Sequence, residues 1–429
     1  MNVDVEYQQV RLERVVLAGI WASGPADEAD EAMAELAALA DTAGAQVVGT
    51  LIQRRDNPDP ATYVGSGKVD EIKALVVDAA ADTVICDGEL TPAQLRNLED
   101  RLEVRVVDRT MLILDIFALH ARSVEGKAQV ELAQLNYLKQ RLRGWGDSLS
   151  RQVGGRAASG VGIGGRGPGE TKIETDRRRI NTRVAILRRR LSAMAATREL
   201  SRATRRRDEV PSVAIVGYTN AGKSSLLNRL TNAGVLVEDA LFATLDPTTR
   251  RSRAADGRVY TLTDTVGFVR HLPTDLVEAF KSTLEETASA DLLLHVVDGA
   301  GPDPLGQVDT VHAVLAQIGA GEIPELMVVN KSDVAGADAA ATLRHALPEA
   351  IFVSALTGDG IDELRAGIEE RLPRPGVLVD ALVPWARGDL IDRAHRTGEV
   401  LATDPTPDGT LLKARVNPGL AAELEEFRR

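Results

Sequence analysis

The chain of 429 residues contains a single cysteine, Cys86. A lone thiol makes neither an intramolecular disulfide nor a cysteine-based zinc cage, which excludes a disulfide scaffold and a zinc finger and fits a reducing compartment. No uncharged apolar run approaches the ~18 residues that a membrane-crossing helix requires. The first 25 residues carry Asp4, Glu6, Arg11, Glu13 and Arg14, where a secretory leader needs an unbroken apolar segment. The expectation is a cytoplasmic protein with no membrane span.

What remains is ordinary in total and uneven in arrangement. The chain is 44% hydrophobic and 27% charged, as soluble globular chains are. At roughly 100–200 residues per domain, its length predicts two to four domains. The net charge of −12 hides a basic insert: residues 139–207 hold 19 Lys and Arg against 5 Asp and Glu, a local +14 that leaves −26 elsewhere. One polyanion-facing region is therefore expected on a chain that otherwise repels polyanions.

Four segments are expected. Residues 1–122 alternate apolar runs with amphipathic stretches: Arg14 to Trp21, Gln46 to Gln53, Thr83 to Cys86 and Val104 to Val107 read as strands. Asp27 to Ala43, Lys68 to Ala80, Pro92 to Leu102 and Arg109 to Ala121 read as helices. Such alternation predicts an α/β subdomain with a parallel sheet under helices. The segment Tyr63 to Lys68 (YVGSGK) resembles half a phosphate loop but lacks the full glycine spacing, and reads better as the turn that starts a helix.

Residues 123–209 predict a basic helical hairpin. Ala128, Leu132, Leu135, Leu138 and Leu142 form one stripe and Ile180, Val184, Leu187, Leu191 and Met194 another, at heptad-like spacings that let two helices zip together. Between them, residues 144–169 hold ten glycines with Arg151, Arg156 and Arg166. A loop this long without a core of its own is functional or disordered, or orders on a partner. One Arg triplet is ordinary solvated helix surface. Three of them, Arg177 to Arg179, Arg188 to Arg190 and Arg205 to Arg207, beside that loop point to a polyphosphate partner. Aromatic platforms are nearly absent apart from Tyr137 and Trp145, which favours backbone and shape contacts to structured RNA over single-strand stacking.

Residues 210–372 carry the chemistry. The strand pattern Ser212 to Val216 runs directly into Gly217, Tyr218, Thr219, Asn220, Ala221, Gly222, Lys223 and Ser224, followed by helical rhythm over Ser225 to Leu230. Strand, G-x-x-x-x-G-K-S, helix is the context of a phosphate-binding loop. Main-chain N–H groups wrap the phosphates, Lys223 reaches the β and γ oxygens and the Ser224 hydroxyl takes Mg2+. Further on, Asp264, Thr265, Val266 and Gly267 follow the strand Tyr260 to Thr263, so that Asp264 can hold Mg2+ through water and the Gly267 N–H can meet the γ-phosphate. After the strands Leu292 to Asp298 and Leu326 to Val329 come Asn330, Lys331, Ser332 and Asp333. A carboxylate such as Asp333 accepts the N1 proton and N2 amine of guanine, whereas adenine would leave it unpaired. Ser354, Ala355 and Leu356 follow the strand Ile351 to Val353, with backbone for the guanine carbonyl. The expected substrate and product are GTP and GDP, with Lys223, Thr244 and Gly267 as the catalytic groups.

Between the phosphate loop and Asp264 lies the run Leu241 to Arg250. A switch segment here must supply a threonine to Mg2+ when the γ-phosphate is present; Thr244 is the first candidate and Thr248 the second. The expected metal ligands are thus Ser224 and Thr244. At 268, where many GTPases carry a water-orienting Gln, stands Phe268, whose ring makes no hydrogen bond to water. A partner must complete the site or another group must do the work. Asn220 offers a carboxamide for a potassium ion standing where an arginine finger would, or simply braces the loop.

Tyr63 to Lys68, Ser150 to Gly155 (SRQVGG), Arg166 to Thr171 (RGPGET) with Glu174 to Arg178, and Phe242 to Pro247 (FATLDP) together resemble the HflX family of translational GTPases. The resemblance covers nearly the whole chain. It implies an N-terminal α/β subdomain, a helical hairpin whose loop reaches ribosomal RNA, a P-loop GTPase domain and a small C-terminal domain. It also implies binding to the large ribosomal subunit, GTP hydrolysis stimulated by it, and splitting of stalled ribosomes under stress. Carried over by position, Phe242, Ala243, Thr244, Leu245 and Asp246 are one switch and Asp264 to Gly267 the other; a hydrophobic residue at 268 matches the family. Residues 373–429 match more loosely and read as a small α+β domain. A monomer is expected.

Two other readings share these motifs. One is a ribosome-assembly factor in which GTP times docking and release. The other is a switch acting on a protein partner, against which the localised basic segment argues.

Overall fold

A computed structural model describes residues 14–22, 26–154, 168–207, 210–231, 241–255, 257–270, 276, 281–373 and 376–429. The chain divides into two compact units, the first ending at Met194 and taking in Leu241 and Phe242, the second running on from Ala195 to Arg429.

In the first unit, strands β1 (Arg14–Trp21), β2 (Gln46–Arg54), β3 (Thr83–Cys86) and β4 (Arg105–Asp108) form one parallel sheet in the order β2-β1-β3-β4. Helices α1 (Ala26–Thr42), α2 (Ser66–Asp78), α3 (Pro92–Leu102) and α4 (Arg109–His120) alternate with them. Strands covered on both faces read as unbroken apolar runs, and all four residues of β3 are buried. Helix starts follow the local chemistry. Thr91 and Gln94 form a reciprocal capping box ahead of Pro92, and Asp108 accepts from the Met111 N–H. The YVGSGK segment does open a helix, with Gly65 at the N-cap of α2.

The long helices α5 (Val124–Gly154) and α6 (Pro168–Arg207) bury Ala128 and Leu135 against Val184 and Leu187, with Leu132, Ile180 and Leu191 packed around them. An ion pair from Arg183 to Glu131 crosses between the helices. Helix α5 continues to Gly154, well into the segment expected to break at 144. Glycine costs a helix only ~1 kcal/mol per residue, and the residues between these glycines are ordinary helix formers. The rest of the expected loop, residues 155–167 with Arg156 and Arg166, lies outside the described residues.

In the second unit, β5 (Ser212–Gly217), β6 (Thr248–Arg253), β7 (Val259–Asp264), β8 (Leu292–Asp298), β9 (Glu325–Asn330) and β10 (Ile351–Phe352) form a sheet in the order β10-β9-β8-β5-β7-β6. All pair in parallel except β6, which runs antiparallel to β7 on the sheet edge. Strand β5 runs into the helix α7 (Lys223–Thr231). The order reverses at β5, so a crevice opens at the carboxyl ends of β5 and its neighbours, where α/β sheets bind their ligands. The sheet's core gathers Val213, Ile215, Leu226, Tyr260, Leu294 and Val328. Three antiparallel strands, β11 (Val377–Val383), β13 (Gly409–Val416) and β12 (Glu399–Thr406), follow in that order with the helices Gly388–Thr397 and Pro418–Leu424 over one face.

The first unit contains a buried charge cluster. Arg109, 4% exposed, pairs with Asp87 at 2.7 Å and with Glu35. Removing one member of a buried ion pair leaves an uncompensated charge, at a cost of about 3–5 kcal/mol. Arg109→Ala is therefore expected to lower the unfolding free energy of this unit by that amount in denaturant titrations. The unit holding β5 to β13 should keep its midpoint, and equal stability of the first unit would contradict the burial.

Candidate functional site

The crevice is built from strand ends in the second unit. Strand β5 ends at Gly217, whose φ of 148° and surroundings leave no room for a side chain: a Cβ there would lie 2.2 Å from the Val296 carbonyl oxygen on β8. The loop therefore presses on the neighbouring strand. It passes through Thr219, then Asn220, exposed at a left-handed φ of 59°, and through buried Ala221 to Gly222 at φ 90°. Helix α7 opens at Lys223, whose Nζ donates to the Tyr218 carbonyl at 2.7 Å. Burial pushes the Lys223 ammonium down to about 8, with the Asp264 carboxylate pulling the other way.

Strand β7 ends at fully buried Asp264. Its Oδ2 accepts from the Ser224 hydroxyl at 2.6 Å, and that hydroxyl lies 2.9 Å from the Thr244 hydroxyl. The Asp264 Oδ1 is buried without a hydrogen-bond partner among the described residues. Burial raises the Asp264 carboxyl, opposed chiefly by Lys223 and Ser224. So Thr244, and not Thr248, meets Ser224; Thr248 begins β6 and pairs with Asp264 in the sheet. The Thr265 hydroxyl donates to Ile215 O, which locks the turn after β7 onto β5. At Gly267 a Cβ would stand 2.8 Å from Thr219 and 2.9 Å from Lys223 Nζ, so this backbone lies directly against the loop.

Phe268 is 1% exposed, and its backbone donates to Gly217 O and accepts from Thr219 N at 2.8 Å. The ring belongs to the core and the main chain to the loop. Phe242 is placed differently from the rest of its segment: its ring packs edge-on against Phe117 of the first unit, 2% exposed. Leu245 is buried, while Ala243 and Asp246 are half-buried.

Strand β9 delivers Asn330, whose amide donates to Ala221 O at 2.8 Å while its Oδ1 accepts from Ala355 N at 3.0 Å. Lys331, at a left-handed φ of 61°, pairs with Asp298 at 2.7 Å, and Ser332 N donates to Val353 O. Asp333 and Leu356 are exposed, and Ser354 is buried with its hydroxyl capping the Thr357 N–H. Sequence reasoning missed Arg229 at the end of α7. Its guanidinium donates to the Ala355 carbonyl at 3.1 Å and to that of Leu356, holding the loop after β10 in place. Arg229 and Ala355 stand 126 positions apart in the chain, and no local pattern signals the contact.

Fold and loops together define a P-loop GTPase. The chain is 47% identical over 415 residues to the GTPase HflX of Caldanaerobacter subterraneus subsp. tengcongensis, covering 97% of this chain and 94% of that protein. It is 45% identical over 423 residues to the GTPase HflX of Lacrimispora saccharolytica, covering 98% and 97%. With the GTPase HflX of Escherichia coli strain K12 it shares 47% over 387 residues, covering 90% and 88%. The chain belongs to the HflX family and is a GTPase. Family models described as "GTP-binding GTPase N-terminal", "GTP-binding GTPase Middle Region" and "50S ribosome-binding GTPase" match residues 30–118, 120–205 and 212–331.

Gly222 has one exacting neighbour: a Cβ there would lie 2.2 Å from Asn330 Nδ2. Gly222→Ala is expected to push the Asn330 amide off Ala221 and lower GDP affinity by at least about tenfold, roughly one lost charge-free hydrogen bond plus strain. Equilibrium titration with a fluorescent GDP analogue measures it, and unchanged affinity would mean that Asn330 does not organise the site.

Proposed function

We propose that this GTPase acts on the large ribosomal subunit, contacting ribosomal RNA through its basic helical arm, and that subunit binding stimulates GTP hydrolysis and separates stalled ribosomes. The observation that carries the reading is a pairing of one surplus with one lack. Arg177, Arg178, Arg179, Arg188, Arg189 and Arg190 are all exposed on α6, beyond what folding uses, while Phe268 is buried where a water-orienting Gln is needed. The side chains of Arg205 to Arg207 lie outside the described residues. Tyr137 supports backbone readout over stacking, since its hydroxyl donates to Asp108 and its ring lies under Arg141.

In this reading the backbone of Gly217 to Ser224 and the Lys223 ammonium cradle the phosphates. Ser224 and Thr244 hold Mg2+ with Asp264 behind them; the ion, when bound, neutralises charge developing on the phosphoryl oxygens. The fit rests on an all-oxygen donor set closing on a buried carboxylate, one oxygen of which has no hydrogen-bond partner among the described residues. Gly267 brings its N–H to the γ-phosphate, Asp333 accepts from the guanine edge, and the Ser354 to Leu356 backbone meets the guanine carbonyl. The exposed Asn220 carboxamide takes a potassium ion beside the phosphates.

The test is GTP turnover at fixed ionic strength with and without purified large subunits, in the wild type and in a variant lacking Gly154 to Gly167. Stimulation of at least about tenfold that the deletion abolishes is expected. It should weaken steeply between ~50 and ~200 mM salt, as counterion release requires. No stimulation of the wild type would overturn the ribosomal reading, and equal turnover in sodium and potassium would remove potassium from it. Light scattering of intact ribosomes separates splitting, where the signal falls, from an assembly role, where it does not.

Lys223 gives a second check. Phosphates against its Nζ favour the charged form that burial opposes, so nucleotide binding takes up a proton once the pH passes about 8. GDP affinity should be flat up to pH ~7.5 and fall towards pH ~9. Proton uptake should be visible as a buffer-dependent heat in titration calorimetry; a pH-independent affinity would take Lys223 away from the phosphates.

A further inference from the structure

Around β8, three metal-ligating side chains come together from three elements. His295 is the polar interruption in the strand Leu292–Asp298, 1% exposed, and its Nδ1 lies 2.6 Å from Glu325 Oε1. Glu325 opens β9. Because Leu293 pairs with Glu325 and His295 with Met327, the two side chains are diagonal neighbours on one face of the sheet. His312 comes from the helix Pro304–Gln317, whose Val308, Val311, Val314 and Leu315 are buried. Its Nε2 lies 3.0 and 3.2 Å from the two Glu325 oxygens, and its ring stands edge-on to that of His295 with centroids 5.3 Å apart.

We propose that His295, His312 and Glu325 form a site for a divalent transition-metal ion of the Zn2+ type, separate from the nucleotide crevice. Two imidazoles and one carboxylate are a donor set that zinc takes with a water in fourth position. Their ligand atoms lie within 4.8 Å of one another. Tetrahedral zinc with bonds of ~2.1 Å needs its ligands about 3.4 Å apart, so the two histidine nitrogens must draw together from within 4.8 Å while each opens slightly from Glu325. The geometry permits this. His295 is fixed by the strand, while the side chains of His312 and Glu325 are 46% and 25% exposed and free to turn towards it. The same exposure gives the ion a way in and the fourth ligand a place. Softer imidazole nitrogen separates this site from the all-oxygen set at Ser224, Thr244 and Asp264, which suits Mg2+.

The site also touches the strand that the phosphate loop rests on. Val296, whose carbonyl abuts Gly217, is the next residue after His295. An ion clamping β8 to β9 and the helix would stiffen the wall of the crevice without entering it.

The experiment uses the full chain, stripped with a chelator and kept in excess Mg2+ and GDP so that the oxygen site is filled. Zn2+ is titrated against a chromogenic competitor, and Co2+ is added separately as a spectroscopic probe. His312→Ala is the variant of choice, because its side chain is half-exposed and its loss leaves the buried His295–Glu325 contact in place. The wild type is expected to bind one Zn2+ at least tenfold more tightly than His312→Ala. With Co2+ it should show the intense visible band of a low-coordinate nitrogen and oxygen site, and Zn2+ should raise its unfolding temperature. The variant should lose the band and the shift while unfolding, without metal, at the wild-type temperature. Equal Zn2+ uptake by both proteins, or no visible Co2+ band in the wild type, would overturn the proposal and leave Glu325 as a hydrogen-bond bridge between two histidines.

Discussion

The carboxamide of Asn330 is the interaction on which the second unit's crevice depends. One end holds the Ala221 carbonyl in the phosphate loop and the other holds the Ala355 N–H in the loop after β10. Two segments far apart in the chain are thereby fixed to the end of a third, β9, at hydrogen-bond precision. The tie is effective because the loop it grips has nowhere to retreat: Gly217 is pressed on the β8 carbonyl and Gly222 on Asn330 itself. Arg229 repeats the arrangement from the other side, reaching from α7 to the same loop. A nucleotide meeting such loops loses little free energy to ordering them, which is how a short glycine-rich turn becomes a rigid receptor.

Much of this was legible in the sequence because parallel sheets write their strands as continuous apolar runs. Thr83–Cys86, Ser212–Gly217 and Leu292–Asp298 were found by that criterion, and the phosphate loop by its glycines between strand and helix. Thr244 lies against Ser224, whereas Thr248 opens the edge strand β6, a strand that no apolar run announces. What stayed hidden were contacts between distant residues. Arg229, the His295–Glu325–His312 cluster and the Phe242–Phe117 ring pair have no local signature, because nothing in a helix or strand period says which side chain across the fold will be opposite. Helix α5 outruns the glycine-rich break expected at 144 for another reason. Glycine imposes only a modest penalty on a helix already nucleated and packed at its other end.

Charge and catalysis are divided along the chain in a way that suits a dependent enzyme. In the proposed reading the acidic bulk repels nucleic acid away from the one basic arm, so the encounter is oriented before any close contact forms. At the reaction centre the position that would orient water is given to packing, since the Phe268 ring lies in the core while its backbone serves the loop. In the proposed reading, a site organised for binding yet lacking one positioning group holds GTP without consuming it quickly, and its clock is set from outside.

Strand β6 has a consequence of a different kind. It is the outermost strand of the large sheet and the one that runs against its neighbours, and its sequence Thr-Thr-Arg-Arg-Ser-Arg leaves Arg250, Arg251 and Arg253 exposed. A free strand edge is a template on which any extended chain can add itself, and bare apolar edges nucleate aggregates. Three cations in six residues make that edge repel a second copy of itself. The edge strand next to the Phe242–Asp246 segment is thus protected against being captured as part of a fibril.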